Sequence, residues 1–224
     1  MRKDFLTKTV LLVAIITAGI AVRRPYLLSG PIIANQWHLF LLVSRVLPIY
    51  SSVVLILSVI MQDERRRVIL LRFASISVVL LWIVCSGYFA ISLYLLWRVD
   101  AFGKYLLPPY SNYFANIIWR FVLPYGYGLA TAAGFTAIFF LIRRLRGNHI
   151  LSQSELWMSI FMSLLLGFGR SMIALFAGLL FSLTFLFFTR LVYHKESLRL
   201  IPGFAIGIYI AMFWGQDILW ALGL

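Results

Sequence analysis

Residues 155–189 read ELWMSIFMSLLLGFGRSMIALFAGLLFSLTFLFFT, from Glu155 to Thr189. This run decides the fold. It holds 35 residues, and between its two ends the only charge is Arg170. As one helix it would be about 50 Å long, against a hydrocarbon layer of about 30 Å. Gly167-Phe168-Gly169-Arg170 interrupts it. The run therefore divides into Glu155–Gly167 and Ser171–Thr189. The first piece has thirteen residues, short of the roughly 20 that cross a bilayer. It must tilt, thin the bilayer around it, or lie buried among its neighbours.

The rest of the chain is of the same kind. It is 62% hydrophobic and only 12% charged, with a mean hydropathy of +0.96. That balance describes an all-α polytopic membrane protein. Four further apolar runs precede Glu155 and one follows Thr189: Phe5–Leu27, Gln36–Met61, Val68–Trp97, Ala115–Ile142 and Ile201–Leu222. The count is about seven segments. Pro124 is expected to kink the fourth. Arg2 and Lys3 ahead of Thr9–Val22 resemble a signal peptide. No small-residue cleavage site leads into a polar region, so the stretch reads as a retained first span.

Orientation follows from the basic residues. Eleven of the twenty Lys/Arg fall on one side, in Arg2, Lys3, Arg65–Arg67, Arg143, Arg144, Arg146, Arg190, Lys195 and Arg199. Five fall on the other: Arg23, Arg24, Arg98, Lys104 and Arg170. Lys8, Arg45, Arg72 and Arg120 lie within spans. The positive-inside rule then places the N-terminus in the cytoplasm and the C-terminus outside. The net charge of +13 is accounted for by loops and anionic lipid heads, and does not imply nucleic-acid binding. The expected partners are membrane lipids.

Seven acids are present: Asp4, Asp63, Glu64, Asp100, Glu155, Glu196 and Asp217. Carboxylates at a membrane boundary are costly, so each needs a reason. Asp63 ends the second run and Glu155 opens the fifth, both on the cytoplasmic side. Depth and side permit them to meet as a pair sharing a proton. His38, His149 and His194 show no metal-ligand spacing, and the single Cys85 excludes an intrachain disulfide or a cysteine-rich zinc site. No metal or cofactor is expected.

The stretch from about Leu57 to Gly215 resembles the type IV prepilin (leader) peptidases, intramembrane aspartyl proteases of bacterial pilus and secretion systems. Their first motif is an aspartate at a span end, then a basic run and Ile-Pro. Ser58-Val-Ile-Met-Gln-Asp63-Glu-Arg-Arg-Arg-Val-Ile69 has that form, with Leu70 in place of proline. Their second motif is Gly-x-Gly-Asp, opening a helix with a glycine twelve residues on. Ser152-Gln-Ser-Glu155 through Gly167 keeps that register. Serines stand for both glycines, glutamate for aspartate, and Trp157 for the usual lysine. The acids are 92 positions apart, longer than the family pattern. The cysteine-rich methyltransferase domain of bifunctional members has no counterpart.

The chain reads as two regions: residues 1–35, an N-terminal transmembrane segment and outer loop that the resemblance does not cover, and residues 36–224, which the resemblance makes a prepilin-peptidase-like membrane domain. The resemblance implies cleavage of basic leader peptides at the cytoplasmic face of the bacterial inner membrane, with Asp63 and Glu155 as catalytic carboxylates. One would act as general base on water and the other would donate a proton; the assignment is open. The implied partners are a prepilin-like substrate or the subunits of a pilus or secretion machine. The alternative is a catalytically inactive relative, a structural membrane subunit of a pilus, competence or secretion assembly. Glu155 carries its carboxyl about one methylene further out than aspartate, and about 1 Å of misplacement can cost ~100-fold in rate. A basic leader would also meet a face that is itself basic. Ser152-x-x-Glu155 is, besides, a capping box that starts a helix. Asp63 and Glu64 beside Arg65–Arg67 can equally be a solvated cluster anchoring a span end. Arg72 is a candidate partner for either acid.

Overall fold

The structure, a computed structural model, describes residues 38–146, 152–193 and 200–223. The expected first span, Phe5–Leu27, lies outside the described residues, as does the boundary drawn at residue 35. Within them are five α-helices and one 3-10 turn, Gly103–Leu106. The helices are α1 His38–Ile60, α2 Glu64–Val99, α3 Tyr113–Arg146, α4 Gln153–Tyr193 and α5 Leu200–Ala221. Four of them, α2 to α5, are long and apolar enough to cross a membrane. In α1 the apolar stretch is Val46–Ile60. The described residues are all-helical, and the chain is a multi-pass membrane protein.

Helix α4 is broken where the sequence requires it. Gly167 has φ 73° and ψ −173°, a combination that essentially only glycine adopts. The contacts on either side show that the chain reverses there. Glu155 is hydrogen-bonded to Leu200 at the start of α5. Arg170 lies against Gly215, and Gly169 against Leu219, near its end. Further on, Ala174 meets Gly207, and Gly178 and Ser182 meet Gly203, back near the start. A straight helix would separate residues 155 and 182 by about 40 Å. Their partners, Leu200 and Gly203, are less than one turn apart. The two halves of α4 therefore run antiparallel.

The second half of α4 packs on α5 through two stripes of small residues. On α5 they are Gly203, Gly207, Ala211 and Gly215, spaced four apart and all buried. On α4 they are Ala174, Gly178 and Ser182, with the same spacing. In lipid, apolar side chains gain nothing by leaving their surroundings, so helices associate by close backbone approach, which such stripes permit. A side chain at position 207 would collide with the Ala174 carbonyl and with the Gly178 backbone. The other face of α5 meets α1: the Tyr209 hydroxyl donates to the Ser52 carbonyl at 3.2 Å. Met158, Phe161 and Met162, in the first half of α4, are fully buried between these helices. So this thirteen-residue piece is accommodated by burial among its neighbours.

Helices α2 and α3 form a long antiparallel hairpin. Trp82 stacks on Tyr125, Phe89 on Phe121, and Trp97 on Tyr113. Pro124 lies inside α3 without interrupting it. Its carbonyl faces Gly167, so the reversal in α4 sits well short of the hairpin tip.

Candidate functional site

Three helix starts come together at one end of the molecule. At the first, Asp63 is extended (φ −77°, ψ 115°) and caps α2, its side chain accepting the Arg65 N–H at 3.0 Å. Aspartate is among the best residues for this position because its short carboxylate meets an otherwise unpaired N–H. Its other oxygen lies 3.5 Å from Arg66 Nε, with both side chains exposed. The Arg67 guanidinium donates to the Met61 carbonyl, which ties the end of α1 to the first turn of α2.

At the second, Ser152 and Glu155 form the capping box read from the sequence. The Ser152 N–H donates to Glu155 Oε2 at 2.8 Å, and the Glu155 N–H donates to Ser152 Oγ at 3.3 Å. Ser154 is fully buried, its hydroxyl 2.9 Å from that of Ser152. The Glu155 carboxylate also accepts the Leu200 N–H. One side chain thus caps α4 and reaches the first described residue of α5. Each cap also places negative charge at the positive end of a helix dipole.

Glu64 supplies the link between α2 and α4. Its Oε1 accepts the Gln153 N–H at 3.2 Å. Asp63 and Glu155 accordingly lie at the same end of the molecule, as expected. Both are described, and no hydrogen bond or ion pair joins them among the described residues. Glu64, not Asp63, is the acid that reaches α4. Arg72 partners neither acid; it stands over the Trp157 ring, 5.0 Å from its centre. The residue in the lysine position of the resemblance is thus a platform for an arginine from α2.

Between α2 and the start of α4 is an open groove of about 750 Å³, lined by Asp63, Glu64, Arg65, Val68, Ile69, Arg72 and Gln153. Glu155 is not part of its lining. Water in the groove would meet Asp63 and Glu64, while the Glu155 carboxylate faces backbone donors. Among the described residues no three His, Cys, Asp or Glu side chains converge as metal ligands. At the opposite end, Arg170 donates to Gln216 Oε1 at 2.8 Å and feels the charge of Asp217.

No family model matches the chain, and no curated protein and no solved structure matches it either.

Proposed function

We propose that this chain is a non-catalytic membrane protein built on a prepilin-peptidase-like order of helices, serving as a structural subunit of a pilus, competence or secretion assembly. The observation that carries this reading is the use of Glu155. Its carboxylate holds the starts of α4 and α5 together, where a peptidase would need it facing water beside Asp63. Asp63 in turn caps α2 and pairs with Arg66. The proposed setting is the bacterial inner membrane, with the Asp63 end cytoplasmic. Counting the two halves of α4 separately, and Phe5–Leu27 as the first span, gives seven crossings.

The peptidase reading has its own support in the Glu64–Gln153 bond, which makes the two motif-bearing helix starts neighbours. The two readings separate on cleavage of a co-expressed prepilin-like substrate. The structural reading expects none from the wild-type chain. Glu155→Asp with glycine at positions 152 and 154 should restore the family motif, and any cleavage gained would mark a retired protease. Cleavage by wild type that is lost in both Asp63→Asn and Glu155→Gln would overturn the structural reading and establish a dyad with a glutamate member.

A further inference from the structure

We infer that the groove between α2 and the start of α4 is a binding site for a phospholipid headgroup that carries both a phosphodiester and a primary ammonium, as phosphatidylethanolamine does. The inference needs only the membrane setting and holds whether or not the chain cleaves peptides.

The lining specifies the headgroup. Asp63, Glu64, Arg65 and Arg72 bring two negative and two positive charges to one groove. A purely anionic headgroup would meet two carboxylates, and a purely cationic ligand two guanidiniums. A zwitterion satisfies both sets. The carboxylates have acceptor capacity in hand. Asp63 receives the Arg65 N–H and Arg66, and Glu64 receives the Gln153 N–H, while a carboxylate offers about four lone-pair sites. A primary ammonium brings three donors to such acceptors, whereas a quaternary choline brings none. For the phosphate, Arg65 and Arg72 stand two turns apart on one face of α2, with Val68 and Ile69 between them. Among the described residues neither guanidinium is paired with a carboxylate. Arg72 is held in place by Trp157, and tryptophan suits the headgroup level of a bilayer.

The acyl chains have a path out of the same groove. From Ile69 the face of α2 continues as Phe73, Ile76, Leu80 and Ile83. All are large and exposed, from 47% at Ile69 to 68% at Phe73. Their spacing keeps them in one lane along the helix, leading from the charged groove into the span.

The test is thermal unfolding of the purified full chain in detergent, with phosphatidylethanolamine, phosphatidylcholine, phosphatidylglycerol or inorganic phosphate added. A specific site stabilises by mass action, so phosphatidylethanolamine should raise Tm by about 5 °C more than phosphatidylcholine. Arg72→Gln and Glu64→Gln should each abolish that difference. Asp63→Asn retains a helix cap and should shrink it, which serves if another variant fails to fold. Native mass spectrometry of the wild-type chain should retain phosphatidylethanolamine in preference to phosphatidylcholine. An equal gain from phosphatidylcholine or phosphatidylglycerol overturns the assignment, as does a gain reproduced by inorganic phosphate or one that survives the variants. Substrate cleavage is read in a separate assay, so failure here leaves the reading of Glu155 standing.

Discussion

The Glu155 carboxylate decides between chemistry and architecture, and its removal is measurable. In Glu155→Ala the Ser152 and Leu200 N–H groups lose their acceptor. Losing hydrogen bonds to a charged partner costs about 1–3 kcal/mol, or a drop of several degrees in Tm for a chain of this size. Glu155→Gln keeps an acceptor oxygen and should lose less than half as much. Thermal unfolding in detergent distinguishes the two, and equal losses would show that charge, not capping, is what matters. Both acids were legible as carboxylates at the ends of apolar runs, and the capping box was legible from Ser152 and Glu155. The role of Glu64 was not. Adjacent residues on a helix point about 100° apart, so which of Asp63 and Glu64 reaches α4 depends on where α4 packs. The same holds for Arg72, whose partner proved to be a ring and not an acid. A sequence shows the charge but not the neighbour.

Among the elements, the break in α4 was readable because length alone forbids a single crossing. The sequence placed it within Gly167-Phe168-Gly169-Arg170, and of the two glycines only Gly167 takes a backbone that requires glycine. Gly167→Ala should cost about 1–3 kcal/mol through the disfavoured backbone conformation, seen as a lowered Tm. An unchanged Tm would mean that the chain does not turn at this residue. Gly207→Leu tests the packing of the reversed half, because overpacking a close helix contact costs about 1–3 kcal/mol or more. Gly87→Ala is the control: nothing lies within 4 Å of the added methyl group, and helix propensity favours alanine by about 1 kcal/mol. Helix ends were read less well, and two of the long helices extend beyond their expected runs. The run expected from Val68 begins at Glu64, and that expected over Ala115–Ile142 spans Tyr113–Arg146. Apolarity marks where a chain enters lipid, whereas caps such as Asp63 mark where the helix starts, up to about one turn outside it. The small-residue stripe at Gly203, Gly207, Ala211 and Gly215 was present in the sequence as a four-residue spacing. It went unused because a hydropathy reading weighs glycine and alanine lightly.

At the scale of the molecule, the reversal fixes the depth of everything else. Arg170 and Asp217 lie near Gly167, and Arg120 is one turn from Pro124, whose carbonyl faces it. Three charges at one level, on α3, α4 and α5, suit a second membrane boundary better than a bilayer interior, where each would need its own partner. The α2–α3 hairpin extends past that level by about 16 Å, the rise from Pro124 to Tyr113. Cysteine accessibility in a Cys85→Ser background tests the arrangement. Gln62→Cys and Gln153→Cys should react with a membrane-impermeant maleimide from one side, which the basic loops identify as the cytoplasm. Phe168→Cys, at an exposed position, should react only from the other. If α4 crossed once, residue 168 would lie near the bilayer centre and resist labelling from both sides. That result would remove the reversal and the count of seven crossings, while the shared placement of Asp63 and Glu155, set by α2 and α3 and by the Glu64–Gln153 bond, would stand.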